Sequence, residues 1–175
     1  MNYIVFLRGI NVGGHRKIKM TDFKSILSNK GFKNIGTYIQ SGNLFLTSKE
    51  SKEDISEKIK DIIKDQYQFD VPALCISQEE LNSLLEKSPF KGESEKKKLY
   101  YCILDELPEN DNINAFKNID FKGDQWQING NVLYIKYQEK LSSSNLDLKQ
   151  IEKHLKVSGT VRNHNTMVKM AQFDI

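Results

Sequence analysis

Residues 37–47 have the sequence TYIQSGNLFLT, and this stretch decides the fold of the chain. β-Branched and aromatic residues lie on both sides of Ser41-Gly42-Asn43, a tripeptide typical of a tight turn between paired strands. The sequence therefore predicts a β-hairpin with strands at 35–40 and 43–48. A second hairpin is predicted at Asn129-Gly130-Asn131, which lies between two apolar runs and has the same Gly-Asn pair.

The elements on either side of the two hairpins follow the same order. Around the first hairpin the pattern predicts a strand at 3–8, a loop at 9–19, helices at 21–30 and 51–67 and a strand at 71–77. Around the second it predicts strands at 99–104, 124–128 and 131–137 and helices at 110–118 and 144–155. The repeated order strand–helix–strand–strand–helix is typical of the split βαβ, ferredoxin-like unit. We therefore expect an α+β protein, a tandem pair of ferredoxin-like sandwiches, each an antiparallel sheet with helices on one face.

The stretch between the two predicted repeats marks where we expect the chain to divide. That division is 1–77 for the first repeat, 78–98 for a connecting helix and loop, and 99–175 for the second repeat with a C-terminal motif. A capping box, Ser77-x-x-Glu80, opens a helix at 78–87. The polar segment Ser88–Lys98 then predicts a linker or loop. Beyond residue 157 we expect a short strand or loop and a last helical turn around Thr166–Met170.

Composition limits the class of protein. Charged residues make up 28% of the 175 residues and hydrophobic residues 38%, which allows a packed core. No apolar run reaches the roughly 18 residues that a membrane span needs, and the N-terminus has no leader pattern, so we expect a cytoplasmic protein without a membrane partner. Cys75 and Cys102 lie within apolar runs, which favours two buried, reduced thiols over a disulfide or a catalytic role.

The arginines and histidines are confined to two short segments without a carboxylate side chain. Residues 1–21 contain Arg8, His15 and Arg16, and residues 153–173 contain His154, Arg162 and His164. Each segment has a net charge of +4, and the whole chain of +3, so the remainder is acidic. The arginine guanidinium is a planar fork suited to phosphate or carboxylate. If the fold joins the two segments, they form a basic surface on an acidic body.

Three motifs are candidates for a site. In LRGINVGG at 7–14, Arg8 and the backbone N–H groups of Gly13 and Gly14 suit an anion, although a turn with unusual dihedral angles explains the glycines equally well. The motif lacks the spacing of a Walker or dinucleotide-binding loop. In TYIQSGN at 37–43, hydrogen-bonding side chains either orient a polar ligand or form the turn. In TVRNHNT at 160–166, either a strand presents Arg162, His164 and Thr166 on one side, or Asn165 or Thr166 caps the last helical turn.

Two other kinds of site are disfavoured. The three histidines lack the spacing of a zinc site and have no nearby acid or thiol, so no metal is predicted. Five aromatic residues lie on predicted strands: Tyr100, Tyr101, Trp126, Tyr134 and Tyr137. An open aromatic sheet face would suit RNA, but the signature of the RNA-recognition motif is absent. Core packing is the better interpretation of these side chains.

The three motifs together resemble the family called domain of unknown function 1697, from Tyr3 to about Met170. The resemblance implies a mostly bacterial, cytoplasmic protein with two ferredoxin-like repeats, and it supplies no established activity, substrate or catalytic residue. In the pattern of that family, Trp often occupies the position of His164, which argues against this histidine as an essential base.

Three hypotheses about function follow. The leading one is the binding of a phosphate-containing small molecule or a nucleic acid at a basic site that joins the N- and C-terminal motifs, without a cofactor. Its predicted ligand-binding residues are Arg8, Asn11, Gly13, Gly14, Ser41, Asn43, Arg162, Asn163 and Asn165. The second hypothesis is a phosphoryl- or acyl-transfer enzyme at the same residues. The third is a non-catalytic structural or interaction protein, in which Arg8 and Arg162 bond backbone carbonyls.

Overall fold

The chain forms two four-stranded antiparallel sheets with helices, in a computed structural model that describes residues 1–91 and 98–173. It divides into two compact units, one formed by Met1–Ser83 with the chain from Lys169 onward, the other by Leu84–Val168. The sequence-based division at 77 and 98 stays a prediction, and it differs in assigning the C-terminal residues to the second repeat. Residues 92–97 of the predicted linker lie outside the described residues.

The first unit contains four strands and two helices before the chain enters a third helix. In chain order they are β1 (Asn2–Leu7), α1 (Met20–Asn29), β2 (Lys33–Tyr38), β3 (Asn43–Thr47), α2 (Lys52–Tyr67), β4 (Ala73–Ser77) and α3 (Gln78–Glu86). The strand order in the sheet is β2-β3-β1-β4, and β1 pairs antiparallel with both β3 and β4. Alternate residues of β1, including Val5 and Leu7, pack into one core with α1 and α2.

Local signals explain where these helices begin. The side chain of Ser51 accepts a hydrogen bond from Asp54 N and caps α2, whose isoleucine stripe is buried as its helical spacing predicts. The predicted capping box at α3 is confirmed, because Ser77 Oγ accepts from Glu80 N at 3.0 Å and Glu80 Oε2 accepts from Ser77 N at 2.7 Å.

The second unit repeats this order of elements. They are β5 (Leu99–Leu104), α4 (Asn110–Lys117), β6 (Gln125–Asn129), β7 (Val132–Lys136), α5 (Leu148–Leu155), β8 (Gly159–Asn163) and α6 (His164–Ala171), whose residues from Lys169 onward belong to the first unit. The sheet has the order β6-β7-β5-β8 with antiparallel pairing throughout. Helix α5 begins later than predicted, since Asp147 caps it by accepting from Gln150 N and a 3-10 turn precedes it. The tail after residue 157 forms β8 and a helix longer than the single turn expected.

Burial settles the predicted role of the aromatic and cysteine side chains. Tyr101, Tyr134 and Tyr137 are at most 1% exposed, and Tyr100 and Trp126 pack against the second core, so core packing is confirmed for these five side chains. Cys75 and Cys102 are free and buried, as expected. Burial raises the pKa of Cys75 to about 12, which keeps this thiol protonated and unreactive at neutral pH. No described helix has the length and apolar character to cross a membrane.

Candidate functional site in the first unit

The loop between β1 and α1, residues 8–19, is the basic loop, and its tip is a small hairpin. Val12 and His15 form an isolated antiparallel bridge, in which His15 N donates to Val12 O at 3.0 Å. Between them Gly13 and Gly14 have φ values of +57° and +80°. Positive φ at both central residues is the requirement of the type I′ turn. The glycines therefore serve a tight turn, and an anion on their N–H groups stays a prediction.

Asn11 fixes the base of this hairpin with its side chain. Its Nδ2 donates to Ile18 O at 2.9 Å and to Gln40 O at 2.7 Å, and its Oδ1 accepts from Ile18 N at 2.9 Å. Both amide hydrogens are thus committed inside the protein. This geometry supports a positioning role, in which Asn11 holds the basic loop closed and ties it to the β2–β3 hairpin.

The β2–β3 hairpin, with loop residues 39–42, uses its polar side chains in a similar way. Asn43 Nδ2 donates to Tyr38 O at 3.0 Å and to Ser41 Oγ at 2.9 Å, and Asn43 is fully buried. Ser41 is exposed. Gln40 Oε1 accepts a long bond of 3.4 Å from Met20 N at the start of α1. That helix has no side-chain bond from its own N-cap residue, so Gln40 helps to satisfy its first N–H groups.

The structure brings the first two sequence motifs together. Leu7 N donates to Gly42 O at 2.7 Å. A Cβ at Gly42 would lie 2.7 Å from Leu7 Cβ and 3.0 Å from Ile10 Cδ1, and φ at this residue is +79°. Only glycine allows this approach. The LRGINVGG and TYIQSGN motifs, which are far apart in sequence, are therefore adjacent in the structure and form one candidate site.

The charge of this site is strongly positive. Arg8 is half-buried at the end of β1, where its backbone N–H donates to Pro72 O at 3.0 Å. Arg16 is exposed, and its Nη1 lies 3.4 Å from the position that a Cβ on Gly9 would occupy. Lys19 is paired with Asp22 at 3.2 Å. Within the described part of the chain, Arg16 and Lys17 form no salt bridge.

The third motif belongs to the second unit, and Arg162 lies on its last strand. Arg162 Nη1 donates to Thr160 Oγ1 at 2.8 Å and to Val161 O at 2.9 Å. Burial lowers the pKa of Arg162 to about 10, because a charged guanidinium is poorly solvated there. Since Arg8 and Arg162 belong to different units, the shared site stays a prediction.

The residues after Arg162 differ from both expectations for this motif. The strand ends at Asn163, so His164 begins a helix and does not continue an alternating face with Arg162. The cap of that helix is Asn163, whose Oδ1 accepts from Thr166 N at 2.8 Å, rather than Asn165 or Thr166. Asn165 is exposed on α6. His164 Nδ1 lies 2.8 Å from the hydroxyl of Tyr101.

Arg16 belongs to the basic segment but is not among the predicted ligand-binding residues. Gln40 is one of the hydrogen-bonding side chains of TYIQSGN that either orient a ligand or form the turn, and its bond to the start of α1 is not predicted by the sequence. The +46° φ of Arg16 and the contact between Gln40 and α1 depend on the folded loop, which sequence patterns do not contain. Among the described residues, no cluster of three or more His, Cys, Asp or Glu side chains is arranged to hold a metal ion.

Comparison with known proteins agrees with the motifs. No curated protein matches the chain. A solved structure, that of the conserved bacterial protein SP0830 from Streptococcus pneumoniae, is similar with 26% sequence identity and a TM-score of 0.78, covering 98% of this chain and 97% of that one. The family model described as "Protein of unknown function (DUF1697)" matches residues 1–134. This range contains the basic loop and the β2–β3 hairpin, and the chain belongs to the DUF1697 family.

Proposed function

We propose that the protein binds an anionic ligand, phosphate-containing or nucleic acid, through the basic loop of its first unit. One observation carries the proposal. The side chain of Asn11 ties an acid-free loop to the β2–β3 hairpin, and this loop holds Arg16 and Lys17 exposed and without a carboxylate partner among the described residues. A cation already paired inside the protein would have to give up its partner before binding.

The chemistry of the loop suits phosphate. Arginine binds phosphate oxygens with two parallel N–H groups, and lysine adds a point charge. Arg8 and Arg16 lie in the same loop, on either side of Gly9, whose φ of +67° sets the direction of the chain there. Screening at physiological ionic strength acts over about 8 Å. Arg8, Arg16 and Lys17 belong to one loop without an acidic residue, so their charges add to the positive potential that a polyanion would meet there.

The test is a titration of a labelled single-stranded oligonucleotide at about 50 mM and about 200 mM salt. We expect the affinity to fall as salt rises, because binding releases condensed counterions. Replacing Arg16→Gln and Lys17→Gln together should weaken binding. It should also reduce the slope of log K against log salt by about 0.7 for each phosphate that the variant no longer neutralises.

The matched control replaces Lys117→Gln and Lys149→Gln, two exposed lysines of the second unit, which changes net charge equally and should leave the slope nearly unchanged. An affinity that does not change with salt concentration, or an equal weakening in both double variants, would contradict binding of a polyanion at the basic loop. The same variants titrated with inorganic phosphate, with thermal stabilisation as readout, test the small-ligand form.

The finer description of the molecule belongs to the same proposal. The strand orders are β2-β3-β1-β4 and β6-β7-β5-β8. In chain order, each unit has one helix between its first and second strands and another between its third and fourth strands. This arrangement supports two ferredoxin-like sandwiches. The repeated order also supports the division into repeats at 1–77 and 99–175. Two free cysteines support a reducing, cytoplasmic location.

A structural role is favoured for Arg162 by its own contacts. Its bonds to Thr160 Oγ1 and Val161 O match the third hypothesis, in which the guanidinium stabilises the fold. Replacing Arg162→Met should then lower the melting temperature and leave oligonucleotide affinity unchanged. A weaker affinity, with the fold intact by circular dichroism, would instead support a ligand site that includes Arg162, Asn163 and Asn165.

A further inference from the structure

Two exposed aliphatic side chains stand beside the basic loop. Val12, next to the type I′ turn, is 67% exposed, and Ile39, in the β2–β3 hairpin loop, is 52% exposed. Their sequence neighbours Asn11 and Gln40 are joined by a hydrogen bond of 2.7 Å. The two side chains therefore belong to adjoining hairpin tips of one unit. Single exposed apolar residues need no explanation, but two on adjoining hairpins, one of them the basic loop, do.

Ile39 also has an unfavourable backbone conformation. Its φ is +51°, in the left-handed region that a β-branched residue rarely adopts. Glycine or asparagine would fit this position better. The chain thus keeps at one residue both a strained backbone and a water-exposed aliphatic side chain. Strain of this kind accumulates at positions that serve function rather than folding.

We propose that Val12 and Ile39 insert into the surface of an anionic lipid bilayer while the basic loop contacts its phosphate headgroups. The proposal rests on the proposed function, since the same cations bind the anion, and it names the bilayer as the phosphate-bearing partner. Amphipathic helices that bind at the membrane interface likewise combine cations with exposed apolar side chains. Anionic headgroups attract lysine and arginine near the surface.

Charge and shape favour a bilayer over other partners. Residues 1–21 contain no carboxylate to repel an anionic surface. Neither Val12 nor Ile39 is aromatic, whereas single-stranded nucleic acid is held by stacking of its bases on aromatic rings. Both are at tight hairpin tips rather than in a groove, so a deformable hydrocarbon layer can surround them. The sequence-based expectation of no membrane partner rests on patterns within continuous segments, which do not detect two side chains on separate hairpins.

The experiment measures sedimentation of the protein with vesicles of phosphatidylcholine alone and of phosphatidylcholine with about 30% phosphatidylglycerol, a charge density at which basic patches bind. The test variant combines Val12→Thr, which keeps the shape, with Ile39→Asn, which suits a positive φ. Because Ile39→Asn relieves strain, this variant should melt at or above the wild-type temperature. The matched control is Leu107→Thr, which alters a side chain that is 70% exposed in the second unit.

We expect binding to the anionic vesicles only. The double variant should weaken it by about tenfold or more, because neither side chain can then bury apolar surface in the bilayer, and Leu107→Thr should leave it unchanged. The same double variant should bind the oligonucleotide as the wild type does. If anionic vesicles are not bound, or if the double variant binds them fully, while the oligonucleotide still binds through Arg16 and Lys17, the bilayer proposal is overturned and the proposed function stands. A wild-type protein that bound neither vesicles, oligonucleotide nor phosphate would overturn both.

Discussion

The connection between the first strand and the first helix differs sharply between the two units. In the first unit this connection is the basic loop, 8–19, which contains two arginines and no acid. In the second unit it is the shorter segment 105–109, which contains Asp105, Glu106 and Glu109 and no base. Both segments join the same pair of elements in sheets of the same strand order. The topology therefore tolerates either charge, and the basic character of the first loop is not a requirement of folding.

Unlike this loop, the backbone at the adjoining end of the sheet is nearly the same in both units. Leu7 N donates to Gly42 O at 2.7 Å, and Leu104 N donates to Asn131 O at 2.8 Å. In each case the last residue of the first strand is bonded to the loop between the second and third strands. The shared bond is scaffold, whereas the charge and length of the adjoining loop vary. Function is therefore expected where the first unit departs from the second.

The largest expected effect comes from adding a side chain at a glycine within a strand. One such glycine in each sheet allows the tolerance of the two sheets to be compared. A Cβ on Gly36 would lie 1.8 Å from the ring of Phe45, and that ring is stacked on Phe173 with centroids 4.2 Å apart. At this distance the ring must shift and give up its stacking on Phe173, so Gly36→Ala should lower the free energy of unfolding by about 3 kcal/mol. A Cβ on Gly159 would lie 2.9 Å from Cys102 Sγ and 3.1 Å from Ile103 O. These overlaps are smaller than the one at Gly36, so Gly159→Ala should cost about 1 kcal/mol.

Urea denaturation of the two glycine variants measures these costs, and amide hydrogen exchange shows which sheet loses protection. Gly36→Ala should expose β2 and β3 first, and Gly159→Ala should expose β8. Equal costs for the two variants would mean that Phe45 and Phe173 rearrange freely, and the stacked pair would then not be a rigid cover of the first sheet.

A smaller effect is expected from removing a loop asparagine in each unit. The stability of the first unit should depend more on Asn11 than the stability of the second unit depends on Asn131. Asn11 makes three side-chain hydrogen bonds, and Asn131 makes one, from Nδ2 to Leu104 O at 3.2 Å. Asn11→Gly keeps the φ of +56° accessible, so its cost reports the missing amide. We expect about 2 kcal/mol for Asn11→Gly and about 0.5 kcal/mol for Asn131→Gly.

Thermal unfolding measures both asparagine variants, and the oligonucleotide titration measures how binding responds. Asn11→Gly should weaken binding through the loosened loop although it removes no charge, and Asn131→Gly should not. If Asn11→Gly left both stability and binding unchanged, the basic loop would be held in place by other contacts and its fixed geometry could not carry the proposed function.

The sequence predicted those features of the fold whose causes are local. The Ser-Gly-Asn and Asn-Gly-Asn turns and the Ser77–Glu80 capping box each lie within a few residues of the backbone groups that they satisfy. The structure confirms them at those positions. Such short-range chemistry is visible in the order of residues alone.

The parts of the site that the sequence did not predict depend on contacts between distant residues. Ile39 suits a strand by its propensity, and the strand was expected to reach residue 40. It ends at Tyr38 because Ile39 takes a positive φ in the hairpin loop. Likewise Asn11 looked like a ligand-binding residue, and its partner Gln40 is 29 residues away. Residue types alone do not show whether a polar side chain serves the protein or a ligand.

The smallest expected effect concerns an ion pair of the first unit and its response to acid. Burial alone would raise the pKa of Glu80, but hydrogen bonds from Lys52 Nζ at 2.5 Å and from Ser77 N outweigh it, and the pKa is lowered below 4.5. A carboxyl with a lowered pKa stabilises the fold above its unfolded pKa, and this stabilisation is lost as pH falls through the folded value. The same bond raises the pKa of Lys52, whose contribution persists up to its unfolded pKa of 10.5. The window of full effect therefore lies between pH 4.5 and 10.5.

Glu80→Gln removes this charge and keeps an acceptor for Ser77 N, since glutamine also completes a capping box. Because the pair is nearly half exposed, with side-chain exposures of 38% and 47%, the loss should be only about 0.5 kcal/mol at pH 7. Melting temperatures of wild type and variant should differ at pH 7 and converge as pH falls below 4.5. Lys52→Met should give the same convergence, because it removes the other half of the pair. A difference that persists at low pH would show that Glu80 stabilises α3 through the capping box alone. The Lys52–Glu80 ion pair would then make no pH-dependent contribution to the stability of the first unit.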